Sequence, residues 1–455
     1  MKKKVLLCLM ALLVITSMIG CNNSTSKENE EAKEIKIKNA DLNLINSAMN
    51  DENTIIVDVR DDSSYNGFKP NKDLDGGHID TAVQFPISWL NIVEDDSKLQ
   101  ALLDEKNITK DKNIIAYCNV GKKSGDFLNK LKSLGYENLN NYSIKEYLSE
   151  DGVKLVKYPN YELLVSPSWV NNLIVGKEVE TYNGDDYVIL ECTYDGIKDY
   201  EKGHVKNAMF VDTNYVEEGP NWNLKSDKDL FDLINKYEIN EDTTVIVYGK
   251  PSMGAERVFV TLKYLGVKDV RVLNGGKEAW VNAGYKLDTT KEVKRITEGR
   301  KNNNNITFDK PANKNLVINV DGAKEILNDE NGKLVSVRTY DEYVGKTSGY
   351  SYFDRKGRIK GSVWCNSGST SQDMDNFEDI DGTHRSLSEI SDYYKEIGLS
   401  KNNKIAFYCG TGWRASLTLV NAMVLGYEDV SLFDDGWFVW SLDPDNNPIE
   451  FGDIK

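Results

Sequence analysis

Tyr408-Cys409-Gly410-Thr411-Gly412-Trp413-Arg414-Ala415-Ser416 decides how this chain is read. The apolar run Lys404-Ile405-Ala406-Phe407 before it reads as a strand, and Ser416-Leu417-Thr418-Leu419-Val420-Asn421-Ala422-Met423 after it as a helix. A strand ends, a loop of small residues turns, and a helix begins. Such a turn gathers several backbone N–H groups at one spot, with the positive end of the helix dipole behind them. A cysteine at the base of that cup is expected to have a depressed pKa and to exist largely as thiolate. The cup would also stabilise a bound anion or a negatively charged sulfur species on the cysteine.

The pattern recurs twice upstream. Asn113-Ile114-Ile115-Ala116-Tyr117-Cys118 precedes Asn119-Val120-Gly121-Lys122-Lys123-Ser124-Gly125, with a glycine three residues and a cation five residues after the cysteine. Thr244-Val245-Ile246-Val247-Tyr248-Gly249 precedes Lys250-Pro251-Ser252-Met253-Gly254-Ala255, a copy without the sulfur. Each Cys or Gly lies 16 residues before the leucine of a Leu-Gly step: Leu134-Gly135, Leu265-Gly266 and Leu425-Gly426. Three ungapped segments of equal spacing read as three homologous domains. Their expected spans are 36–157, 160–292 and 314–455, with a polar linker at 293–313 that contains Asn302-Asn303-Asn304-Asn305.

The start of the chain reads as an address rather than a fold. Lys2-Lys3-Lys4 precede an apolar run from Val5 to Ile19, too short to span a bilayer and suited to a secretory signal over residues 1–20. The run ends in Gly20-Cys21 and turns polar at once, which resembles a lipoprotein cleavage site with Cys21 as the lipid-bearing residue. The other reading is an ordinary cleaved signal with an incidental cysteine. On the first, residues 21–35 are a tether and the protein is exported and anchored by lipid to the outer face of the cell membrane.

A formal net charge of −16 argues against a nucleic-acid partner, whose phosphates need basic patches. Six cysteines in 455 residues do not make a disulfide scaffold, and the absence of CxxC or histidine-rich spacing argues against a metal site. Cys192 and Cys365 end short apolar runs and read as core residues, although a Cys365–Cys409 pairing stays open.

Each domain alternates strands with helices. Thr54-Ile55-Ile56-Val57-Asp58-Val59-Arg60 and Leu334-Val335-Ser336-Val337-Arg338 are buried parallel strands at equivalent places, with serine for aspartate in the third domain. The expected fold is α/β, each domain a mostly parallel sheet flanked by helices, with chemistry at the carboxyl ends of strands. His78 and His204 share a Gly-His context, which favours a turn-stabilising role over a catalytic base. The third domain gathers Arg338, Arg355, Arg358 and Arg414 around a cysteine. These are either ordinary surface arginines or a small-anion site.

Cys409-Gly410-Thr411-Gly412-Trp413-Arg414 resembles the six-residue active loop of rhodanese sulfurtransferases, and the Gly-His-Ile-x-x-Ala and Leu-Asn-Gly-Gly-x-x-x-Trp elements resemble other landmarks of that family. The resemblance covers essentially the whole chain after the signal, three times over. It implies that Cys409 attacks the outer sulfur of thiosulfate or a similar donor, releases sulfite, and passes sulfur from a persulfide to cyanide or a thiol, a protein acceptor included. It implies that Gly410, Thr411, Gly412 and Trp413 cradle the persulfide, that Arg414 anchors the loop or meets the anion, and that Arg338 and Arg358 hold the sulfite. No cofactor is implied. Cys118 is a second candidate nucleophile, with Lys123 where the family has arginine; the Gly249 loop is expected to be inactive. Two other readings stand beside this one. One is a lipid-tethered sulfur carrier without turnover. The other is a cysteine phosphatase or arsenate reductase, whose arginine lies six rather than five residues after the cysteine.

Overall fold

The structure is a computed structural model that describes residues 35–184, 186–249, 253–291, 293 and 310–453. The expected signal, Cys21 and nearly all of the tether lie outside the described residues, as does linker segment 294–309. Among the described residues no helix is long and apolar enough to cross a membrane.

The same five-stranded sheet is built three times. In the first repeat, Lys38–Asn39, Leu139–Ser143, Asn113–Cys118, Thr54–Asp58 and Val83–Gln84 lie side by side in that order, all parallel. The second repeat orders Leu164–Val165, Asp269–Leu273, Thr244–Tyr248, Tyr187–Thr193 and Ala208–Asp212 in the same way. The third orders Val317–Ile318, Val430–Phe433, Lys404–Tyr408, Gly332–Arg338 and Val363–Asn366. The strand that leads to Cys118, Gly249 or Cys409 is central each time, so the loop after it leaves from the middle of the sheet's carboxyl edge.

Successive residues of these strands feed opposite faces. Phe407 joins an apolar cluster that also holds Ile115 and Tyr117 of the first repeat and Val247 and Val258 of the second. Its neighbours Ala406 and Tyr408 face the other way, against Trp437 and Leu334 of their own repeat. Burial on both faces explains why the strands are continuously apolar. It also means that the three repeats share one core.

The helices after the central strands differ in what covers them. Lys122–Ser133 buries one stripe, Ser124, Phe127, Leu128 and Leu131, and leaves its other residues exposed or half-buried. Trp413–Val424 is buried nearly all round because it packs on the equivalent helix Met253–Leu265 of the second repeat. Both histidines at the Gly-His turns are structural. His78 sits 2.9 Å from the Tyr65 carbonyl and stacks on the Tyr65 ring, and His204 lies between the carbonyls of Val205 and Thr290.

Candidate active site

Cys409 directly follows the central strand of the third repeat, and the residue is 1% exposed at the floor of the loop. Gly412, in the left-handed conformation at φ 96°, turns its N–H back so that it donates to Cys409 Sγ at 3.2 Å. The loop's carbonyls are held outward. Trp437 N donates to Cys409 O at 2.9 Å and Phe438 N to Gly410 O at 3.1 Å, from the short helix Gly436–Trp440. With these carbonyls fixed elsewhere, the Gly412 N–H meets the sulfur, one donor of the kind an anion-stabilising nest uses.

Arg414 is buried at 2% exposure, and its guanidinium grips Glu342 with two bonds of 2.9 Å each. Nη1 also donates to Ser367 Oγ at 3.1 Å and Nη2 to the Tyr350 hydroxyl at 2.7 Å. Both terminal nitrogens of Arg414 are thus engaged by the protein and tie the loop to Glu342, Ser367 and Tyr350, while its Nε has no hydrogen-bond partner. Burial alone would raise the Glu342 carboxyl, but Arg414 overrides it and, with Arg338 and the Thr339 amide, holds it down to about 2. Glu342 is placed by its own capping box: Thr339 N donates to Glu342 Oε2 at 3.0 Å, and Glu342 N to Thr339 Oγ1 at 3.3 Å.

The other arginines are each given a protein partner. Arg338 is fully buried and donates to Gly357 O at 2.8 Å, with Glu342 at 3.5 Å from its Nε. Ser336 removes the local carboxylate that Asp58 provides to Arg60 in the first repeat, so Arg338 turns to more distant groups. Arg358 donates to Gly452 O at 2.7 Å and lies 3.5 Å from Glu450, and Arg355 donates to Ser441 Oγ at 2.8 Å. Arg338 and Arg358, the residues expected to hold a leaving anion, thus each reach a backbone carbonyl, while Nε and Nη2 of Arg338 are buried without a hydrogen-bond partner.

Aromatic rings also stand over the loop. A Cβ on Gly410 would come 2.3 Å from the Tyr350 hydroxyl, so only glycine lets that ring close down. The Tyr350 oxygen accepts from Gly410 N at 3.1 Å and from Arg414, which leaves its own O–H proton for a third partner. Burial pushes the Tyr350 phenol far above its ordinary range, so it keeps that proton. Tyr350 packs on Phe353 with centroids 4.8 Å apart and on Tyr352 at 5.3 Å, and Phe353 packs on Phe438 at 5.0 Å. Thr411 is buried beside the sulfur loop, and Trp413 donates its indole N–H to Glu217 of the second repeat at 2.7 Å.

Sequence reasoning missed Tyr350, Glu342 and Glu217. The Thr339-x-x-Glu342 spacing is a capping signal visible in the sequence, and Tyr350 lies in the stretch 348–356, which is rich in aromatic residues and carries two cations. Nothing local marks Glu217.

The other two loops are not copies of this one. Cys118 Sγ accepts from Ser124 Oγ at 3.5 Å, and Lys123 is exposed. The position equivalent to Glu342 is Ser64, so that loop has no buried arginine–carboxylate anchor. At Gly249 a Cβ would stand 2.1 Å from the carbonyl oxygen of Cys192, so the second repeat has no room for a cysteine there. Cys118, Cys192, Cys365 and Cys409 are all free thiols, which removes a Cys365–Cys409 disulfide. Burial pushes the Cys365 thiol up to about 12, as for a core residue.

Comparison with known proteins agrees with this geometry. Residues 41–147, 176–283 and 319–443 each match the rhodanese-like domain. The chain is 35% identical over 404 residues to the thiosulfate sulfurtransferase YnjE of Escherichia coli, covering 88% of this chain and 90% of that protein. It is 28% identical over 291 residues to the sulfur carrier protein TtuD of Thermus thermophilus, covering 62% of this chain and 95% of that one. Among solved structures, the anaerobic ergothioneine biosynthesis enzyme of Chlorobium limicola, in complex with its natural substrate trimethyl histidine, superposes with a TM-score of 0.85 at 31% identity over 92% of this chain and all of the other. A related structure holds ergothioneine covalently linked to a cysteine persulfide, with the same TM-score, identity and coverage. The chain belongs to the rhodanese-like family, in which it is a three-repeat sulfurtransferase.

Proposed function

We propose that Cys409 carries sulfane sulfur as a persulfide between a small donor and a nucleophilic acceptor. The observation that carries this reading is the Gly412 N–H aimed at Cys409 Sγ from the base of the loop. With thiosulfate as donor, the Cys409 thiolate attacks the outer sulfur. A new S–S bond forms, the thiosulfate S–S bond breaks, and sulfite leaves with the electron pair. Cyanide or a thiolate then attacks the terminal sulfur and returns the Cys409 thiolate. Gly412 N–H stabilises the sulfur's negative charge at both ends of the cycle, and Arg414 holds the loop in shape through Glu342.

The test is intact mass spectrometry of the full chain after thiosulfate treatment, followed by peptide mapping and steady-state transfer to cyanide. Gain of one sulfur at Cys409, with turnover, supports the enzyme. Cys409→Ser should abolish transfer with the fold intact, and activity retained in that variant would move the site to Cys118. Sulfur held at Cys409 without turnover to several acceptors would instead favour a carrier. A phosphatase is disfavoured by the engagement of Arg414 with Glu342, and hydrolysis of an aryl phosphate would reverse that judgement.

A second acceptor class has its own support. The rings of Tyr350, Tyr352, Phe353 and Phe438 above the loop suit a flat or quaternary-ammonium molecule better than a bare anion. The likeness to an enzyme solved with trimethyl histidine points the same way. Trimethyl histidine offered to the persulfide form, with a search for the sulfur-bearing product by mass, tests it. An unmodified acceptor after complete loading would sink this class.

The amino-terminal segment supports export with a lipid on Cys21. Retention of the full chain in the membrane fraction, lost in Cys21→Ser, is the expected result. An unlipidated, soluble wild type would overturn it.

A further inference from the structure

The second repeat has no nucleophile, yet it reaches directly into the Cys409 loop. The hairpin of Glu217–Glu218 and Asn223–Leu224 lies against the third repeat. Glu217 Oε1 accepts the Trp413 indole N–H at 2.7 Å, and Glu217 Oε2 accepts from Arg257 Nε at 3.0 Å. Asn223 donates to Asp435 at 2.6 Å, and Leu224 N to Asp434 Oδ2 at 2.8 Å.

Arg257 stands at the centre of this contact. Its Nη1 lies 2.7 Å from Asp434 Oδ1, and its Nη2 donates to Trp222 O at 3.0 Å. Arg257 and Glu217 are 0% and 1% exposed, so the pair has no water to relax into. A Cβ on Gly412 would lie only 2.8 Å from Arg257 Nη1. The guanidinium therefore packs on the very residue whose N–H donates to Cys409 Sγ. Gly412 is held from one side by the sulfur and from the other by a cation of a different repeat. Its neighbour Trp413 is held by Glu217.

We infer that Glu217 and Arg257 are positioning residues for the reaction at Cys409: the nucleophile-free repeat sets the aim of the Gly412 N–H at the sulfur. The inference rests on Cys409 being the sulfur-carrying residue. It gives the second repeat a part in turnover that its own empty loop lacks. It also explains why the Trp413–Val424 helix is buried against Met253–Leu265, where its counterpart in the first repeat is solvated.

The test uses full-length Trp413→Phe, which removes the indole N–H along with part of the ring, together with Glu217→Gln and Arg257→Lys. The readouts are melting temperature, sulfur occupancy of Cys409 by mass after thiosulfate treatment, and kcat and KM for sulfur transfer to cyanide. Trp413→Phe and Glu217→Gln should melt cooperatively and still accept one sulfur. Their kcat should fall about ten- to a hundredfold with KM little changed, the scale expected for a slightly misplaced catalytic group. Arg257→Lys keeps the charge but loses the fork, and should be the slowest. Wild-type kcat in the folded variants would overturn the inference. So would losses that merely track a lost melting transition, which would assign these residues to the fold alone. A wild-type chain that takes up no sulfur at Cys409 would overturn the nucleophile reading, and this inference with it. A wild type that loads and discharges, beside variants of equal kcat, overturns this inference alone.

Discussion

Arg414 places a full positive charge inside the protein, and Glu342 is what makes that arrangement stable. Two parallel N–H···O bonds at 2.9 Å join them, and the carboxyl is held at about 2 against an ordinary value of 4.5. The folded carboxyl is the stronger acid, so its stabilisation is fully present above about pH 4.5 and is lost as pH falls toward 2. At about 1.4 kcal/mol per pKa unit it amounts to about 3 kcal/mol. Glu342→Gln should strand the guanidinium and cost about 3–5 kcal/mol. The urea midpoint should drop and sulfur loading of Cys409 should slow in step. Unchanged loading in that variant would show that the anchor does not shape the loop. Cys409 and Arg414 were legible in the sequence because five residues of local spacing carry their relation. Glu342 lies 72 residues from Arg414, and only its capping box is written locally. The charges of Arg338 and Arg358 are visible in the sequence, while the Gly357 and Gly452 carbonyls that they reach are not.

At the scale of elements, the central strands were readable from continuous apolar runs ended by small-residue loops, and the threefold spacing carried that reading across the chain. What covers each helix was not readable. The sequences of Lys122–Ser133 and Trp413–Val424 differ in apolar content, but the burial of the latter depends on its partner helix in another repeat. The silent second loop has a steric cause as well as a missing thiol. Gly249→Cys should therefore fail to create a second sulfur site and should destabilise the chain by about 1–3 kcal/mol, the usual cost of overpacking. Its denaturation midpoint and the sulfur count after thiosulfate treatment check this. A stable variant that carries an additional sulfur at residue 249 would show that the Cys192 carbonyl can move aside.

Across the whole molecule, charged clusters join repeats that the sequence presents as separate. Lys106 of the first repeat is fully buried, 2.7 Å from Asp379 and 2.6 Å from Glu389 of the third, over the Trp89 ring. His384 of the third repeat lies 3.0 Å from Glu256 of the second, and its backbone N donates to Asn274. Such pairs between distant segments leave no local mark, so the three repeats could be read while the joints between them could not. Asp379 allows the Lys106 joint to be tested by pH. Burial pushes its carboxyl up to about 6, with Lys106 pulling the other way. The folded state therefore holds a proton that the unfolded chain releases near 4, and this group's contribution weakens as pH rises from about 4 to 6. Lys106→Met removes the cation that lets Asp379 ionise inside the protein. At pH 5 the carboxyl can stay protonated and the loss should be small. At pH 8 it must ionise unpaired or bind a proton at a cost, so the loss should be larger, approaching the 3–5 kcal/mol typical of a broken buried pair. Denaturant midpoints of wild type and Lys106→Met at the two pH values measure the difference. Equal losses at pH 5 and pH 8 would mean that the joint is held by packing of the lysine stem on Trp89 and not by its charge.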